Sequence, residues 1–210
     1  MVITYQGGEC VKISQGDLTL AFNPPAKDSS IKVSKFGADI VLSTLDTPDF
    51  NGVDTASIGD KKPFAIAGPG EYEVKGVAVR GFATKGTYEG AHVNTMYVVS
   101  LDGVNICFLG AFGESDLPSQ AKQALDDIDI LFTPIGGNGV LDHQAAYKRA
   151  VGIEPKVVIP MHYGEIGNKD ALKSFLKEAG AEDVKPIEKL TLKRKDLEGK
   201  EAEIIVLAAN

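Results

Sequence analysis

The feature that most constrains this chain is the order of its apolar runs. Short β-rich segments crowd the first half, and helical segments alternate with continuous apolar runs only later. Val2–Tyr5, Cys10–Ser14 and Leu18–Phe22 read as strands, punctuated by the turn signals Gly7-Gly8 and Gly16-Asp17 and stopped by Asn23-Pro24-Pro25. Residues 26–36 are polar and rich in Lys and Ser, which predicts a surface loop. Ala38–Ser43 (ADIVLS) has no alternation, as expected of a strand buried on both faces. Strand-like runs continue over Phe64–Ala67, Tyr72–Val74, Val77–Phe82, Thr95–Ser100 and Val104–Leu109, with Asp102-Gly103 as a hairpin turn.

Helices are predicted over Leu117–Leu125 behind Asp116, over His143–Val151 behind Asp142, and over Lys169–Ala179 behind Asn168, where Gly180 ends it. Between and after them lie the strand runs Ile128–Thr133, Lys156–Pro160 and Glu203–Leu207. Lys185–Lys200 interleaves both signs of charge and reads as a solvated hairpin face. Two sheets with helices on their outer faces satisfy this order within one α/β domain spanning residues 1–210.

Composition narrows the function. A chain of 210 residues with 43% hydrophobic content has enough material for one substantial core. Its net charge of −7 disfavours nucleic acid or an anionic membrane surface as partner. No window reaches the ~20 apolar residues of a membrane span, and the N-terminus lacks the pattern of a signal peptide. Cys10 and Cys107 sit in strand-like runs and read as buried free thiols, so a cytoplasmic location is expected. Three histidines leave little room for a His-rich metal site.

Three strand-end loops could carry chemistry: Ser43–Gly52, Leu109–Glu114 and Ile159–Gly164. Together with Pro69-Gly70-Glu71-Tyr72, Pro134-Ile135-Gly136-Gly137 and Pro160-Met161-His162-Tyr163, they resemble the metallo-β-lactamase-fold hydrolases. The resemblance is to the small prokaryotic branch related to L-ascorbate-6-phosphate lactonase, and it spans nearly the whole chain. It implies a four-layer αββα sandwich and, in relatives of that branch, a homo-oligomer.

The resemblance also implies a metal site that this sequence does not repeat. Where the branch carries Thr-His-x-His-x-Asp-His, Thr44 and Asp49 remain, but Leu45, Thr47 and Phe50 occupy the His positions. A later family His aligns with Lys85, the bridging Asp with Ala111, the Gly-His-Ser motif with Gly7-Gly8-Glu9, and Asp-Pro with Asn23-Pro24. Of the metal set, Asp49 and His162 are left. Leu, Phe and Ala offer no lone pair, and a catalytic zinc takes about three protein ligands. No cofactor is therefore expected. The alternative is Zn, Mn or Mg in a substitute site using Asp46, Asp49 and His162, with Glu71, Glu114 and Asp142 as nearby carboxylates.

Each candidate has a plain alternative. Asp46 and Asp49 flank Pro48 and could cap their own turn. His162 is a relict ligand, a general base, or a hydrogen-bonded residue holding its loop. Lys85 could bind an anionic ligand or pair with Asp49. His92 and His143 read as surface residues, neither cysteine makes a convincing nucleophile, and Gly136-Gly137-Asn138-Gly139 reads as a turn. The expected function is a non-catalytic binding or scaffold module, with a small molecule or a protein as partner. The alternative is a hydrolase with altered or substitute metal chemistry on a small ester, lactone or phosphorylated substrate.

Overall fold

A computed structural model of the chain describes residues 1–90, 92–113 and 116–210, with His92 described by its backbone only. The strands of the first half are β1 (Val2–Gly7), β2 (Cys10–Gln15), β3 (Leu18–Phe22), β4 (Ile40–Leu42), β5 (Phe64–Ile66) and β6 (Gly70–Val74). They are followed by β7 (Val77–Gly86), β8 (His92–Leu101), β9 (Val104–Phe108), β10 (Ile130–Pro134), β11 (Val157–Met161), β12 (Leu190–Thr191) and β13 (Glu203–Ile204). The helices are α1 (His143–Ile153) and α2 (Ala171–Glu178). Among the described residues the strands form two mixed sheets, ordered β12-β1-β2-β3-β4-β5 and β13-β11-β10-β9-β8-β7-β6.

Alternation along each strand builds the layers. Leu20, Phe22, Ile40 and Leu42 point inward from the first sheet and meet Tyr97, Val99, Phe108, Phe132 and Ile159 of the second. Phe22 stacks on Phe108 with ring centroids 4.5 Å apart. The intervening residues face outward and are buried as well. Leu131 and Val158 pack with Ala146 and Ala150 of α1 and Phe175 of α2. Ala21 and Val41 pack with Phe36, Ala38 and Ala56 of the irregular segment that covers the first sheet. This is why runs such as ADIVLS show no polar alternation. The result is the αββα sandwich, with turns forming much of the outer layer over the first sheet.

Several local signals act as their chemistry dictates. Asp102 and Gly103 both adopt positive φ (52° and 73°), the backbone of a two-residue hairpin turn. The Asp142 side chain accepts from the Ala145 N–H at 2.8 Å and caps α1. No helix is long and apolar enough to cross a membrane among the described residues.

Other expectations need correction. The segment 117–125 is not an α-helix behind Asp116 but a 3-10 turn over Ser119–Leu125 that follows Pro118. Its buried Ala121 and Ala124 are three apart, which suits three residues per turn. The second helix begins at Ala171, and Asn168 accepts from the Asp170 N–H instead of capping it. The charged segment 185–200 is not a hairpin: β12 pairs with β1, and a 3-10 turn over Arg194–Leu197 buries Leu197. Only Glu203–Ile204 of the last apolar run joins a ladder, parallel to β11.

Candidate functional site

The ends of β4, β9 and β11 meet the β1–β2 turn and the segment after β7. The loop after β4 folds on itself, since Phe50 N–H and Asn51 N–H both donate to Thr47 O at 3.0 Å. Gly52 must be glycine here, because a Cβ would lie 2.1 Å from Pro25 O. This turn drives Leu45 and Phe50 inward. They are buried with Ala111, Ile31, Tyr88, Val140 and Ile166 in one apolar cluster. The rings of Phe50 and Tyr88 lie 5.1 Å apart, and those of Tyr88 and His162 lie 5.0 Å apart edge to face.

Beside that cluster runs a buried polar network. His162 Nδ1 lies 2.7 Å from Glu9 Oε1, and both side chains are 0% exposed. Asn23 Nδ2 donates to Glu9 Oε2 and to Thr44 Oγ1, each at 2.8 Å, and Thr44 N–H donates back to Asn23 Oδ1. The backbone is clamped too, with His162 N–H on Gly8 O at 2.7 Å. Asn23 and His162 both hold positive φ (43° and 60°), a strained backbone for residues with a side chain. Gly136 permits this packing: a Cβ there would lie 2.1 Å from His162 O. The other ring nitrogen, His162 Nε2, is buried with no hydrogen-bond partner among the described residues.

Asp49 lies at the seam between the two halves. Its oxygens accept from Ser29 Oγ and, at 2.6 Å, from Tyr88 OH. Burial, and then the hydrogen bond to Asp49, push the Tyr88 phenol well above its ordinary range, so it donates as a neutral group.

The structure thus brings Leu45, Asp49, Phe50, Ala111 and His162 together. Thr47 is buried as well, and its hydroxyl has no partner among the described residues. Lys85 is exposed on β7, and the Asp49 oxygens are held by hydroxyls, so the suggested Lys85–Asp49 pair does not form. Asp46 is exposed and accepts from the Asn51 side chain (Nδ2) at 2.8 Å, a bond between two side chains of the loop. Glu71 is exposed on β6, and Asp142 is occupied with α1. Glu114 and the His92 side chain lie outside the described residues. Cys10 and Cys107 are free, and burial raises both thiols far out of the nucleophilic range.

Sequence reasoning assigned no role to Glu9, Asn23, Ser29 or Tyr88. Glu9 carried a readable signal, a lone carboxylate between a Gly-Gly turn and an apolar strand. The partners of Tyr88 and Ser29 lie 39 and 20 positions away, with no motif to link them.

Comparison with known proteins defines the family. A model of the beta-lactamase superfamily domain matches residues 2–162. The chain belongs to the metallo-β-lactamase superfamily. It is 30% identical over 188 residues to a UPF0173 metal-dependent hydrolase of Natranaerobius thermophilus, covering 78% of this chain and 83% of that protein. A UPF0173 metal-dependent hydrolase of Listeria innocua is 25% identical over 199 residues, covering 78% and 85%. Among solved structures, a protein of Thermotoga maritima described as a Zn-dependent hydrolase of the superfamily superposes with a TM-score of 0.72 at 24% identity, covering 98% and 97%. Igni18, a metallo hydrolase of Ignicoccus hospitalis, gives 0.62 at 19% identity, covering 91% and 99%. These structural likenesses carry the fold.

The relatives correct one expectation directly. Their names are those of metal-dependent hydrolases, which contradicts the expectation that no cofactor is involved and favours the hydrolase alternative over the scaffold module. The donor chemistry adds a constraint of its own. Among the described residues no group of three His, Cys, Asp or Glu side chains is placed to hold a metal ion. His162 Nε2 and Asp49 are the donors at the motif positions, one short of the roughly three protein ligands of a catalytic zinc. The described residues therefore do not fit the family's metal.

Proposed function

We propose that this protein is a hydrolase of its superfamily with an altered site, acting on a small ester, lactone or phosphorylated substrate. The observation that carries the reading is the state of His162: Nδ1 is engaged by Glu9, while Nε2 is buried and unpartnered. A group in that arrangement is a base with one nitrogen held and the other open to a proton. In the proposed reaction Nε2 takes a proton from a water or hydroxyl nucleophile, and the Glu9 carboxylate stabilises the cation that forms. Phe50 and Tyr88 cover the imidazole, so a substrate must displace these rings. The metal-dependent names of the relatives support hydrolysis as the reaction class.

A second reading, a non-catalytic binding or scaffold module, is favoured by one observation. Leu45, Phe50 and Ala111 fill the motif positions with packed apolar surface. The two readings part in one experiment on protein purified without a metal-affinity tag. Metal content is measured, and turnover of lactone, carboxylic ester and phosphodiester panels is followed with and without added Zn, Mn or Fe. Turnover of any class supports the hydrolase. A protein inert under every condition contradicts it and leaves the binding module.

A further inference from the structure

The β1–β2 turn does more than connect two strands. Glu9 follows Gly8, whose carbonyl accepts both the Tyr5 hydroxyl and the His162 N–H at 2.7 Å. The turn is thereby fixed against the end of β11 through its backbone, independently of the Glu9 side chain. That side chain is itself fixed from behind, since Asn23 holds Oε2 and leaves Oε1 for His162. Asn23 is in turn tied to Thr44 at the end of β4. Three separate elements thus converge to aim one carboxylate oxygen at one ring nitrogen.

A carboxylate only accepts hydrogen bonds, so with Glu9 Oε1 2.7 Å from the ring the N–H of a neutral imidazole belongs on Nδ1. The opposite tautomer would place a lone pair against a lone pair at 2.7 Å and leave an N–H at Nε2 with no acceptor. We propose that Glu9 is the positioning residue for His162, selecting the Nδ1–H tautomer so that Nε2 presents its lone pair to the site. The proposal rests on reading His162 as the working group, and it adds what sets that group's state.

The test reads the tautomer and not activity. Long-range proton–nitrogen spectra of the nitrogen-15-labelled full chain at pH 8 are assigned by the signals that vanish in His162→Gln. They are recorded on the protein as purified and again after dialysis against a chelator. The expected result in both is a protonated Nδ1 and an unprotonated Nε2. In Glu9→Gln, whose amide can donate as well as accept, the single tautomer is expected to give way to a mixture. An Nε2-protonated or doubly protonated ring in the wild type overturns the proposal, as does an unprotonated Nε2 seen only before chelation. A Glu9→Gln spectrum identical to the wild type overturns it too. Where Glu9→Gln fails to fold by circular dichroism, the wild-type spectra alone decide. Loss of turnover leaves the tautomer unchanged, so failure of the functional reading and failure of this proposal are separate results.

Discussion

The site has two halves built by opposite means. On one side Leu45, Phe50 and Ala111 pack with Tyr88 and Ile166 in a buried apolar cluster. On the other, Glu9, Asn23, Thr44 and His162 are equally buried yet joined by directed hydrogen bonds. The first half tolerates any side chain of the right volume, whereas the second requires particular atoms at particular distances. The difference teaches which half of the site can carry chemistry. Packing can fill a site, but it cannot supply a base.

The comparison can be broken most forcefully on its apolar side. Phe50→Ala removes a fully buried ring packed beside Tyr88 and His162 and is expected to cost about 3–5 kcal/mol, read by chemical denaturation. Phe50→Leu is expected to cost far less, and a loss as large as that of Ala would mean that the ring does more than pack. On the polar side, Tyr88→Phe leaves Asp49 with Ser29 as its remaining hydroxyl donor and is expected to cost about 1–3 kcal/mol.

A buried carboxylate held by cations sharpens the contrast with Asp49, which is held by hydroxyls. Burial alone would raise the Asp39 carboxyl, but bonds from Lys75, the Thr19 N–H and Lys61 outweigh it and lower the pKa to about 2. A folded value below the unfolded one stabilises fully above about pH 4, and the contribution is lost as pH falls through about 2. Asp39→Asn is therefore expected to cost about 1–2 kcal/mol at pH 7, with the gap to wild type closing near pH 2 in thermal melts. The smallest effect belongs to Asp46→Ala, which removes one exposed side-chain bond to Asn51 and is expected to cost no more than about 0.5 kcal/mol.

How much of this was legible in the sequence differs between the same two halves. The buried strands could be read because continuous runs such as ADIVLS and KVVIP lie between two apolar layers and so lack alternation, while the four-layer sandwich followed from the family resemblance. Leu45, Phe50 and Ala111 could be named because they stand in ordered motifs. The polar half was less legible, because hydrogen bonds leave no periodic trace. Glu9 and His162 are separated by 153 positions, and only the fold brings them together. The Lys85–Asp49 pair failed for a related reason: strand alternation turns Thr84 and Gly86 inward and Lys85 outward. The expectation of no cofactor failed because counting ligands describes a site and not the family's reaction.

The proposed function places reactivity at His162 and not in the packed residues beside it. The most direct measurement is the turnover of wild type and His162→Ala, side by side, on whichever ester, lactone or phosphodiester the wild type cleaves. Removal of the base is expected to lower turnover by roughly 10²-fold or more. Equal turnover in the two proteins, or none in either, would contradict the claim.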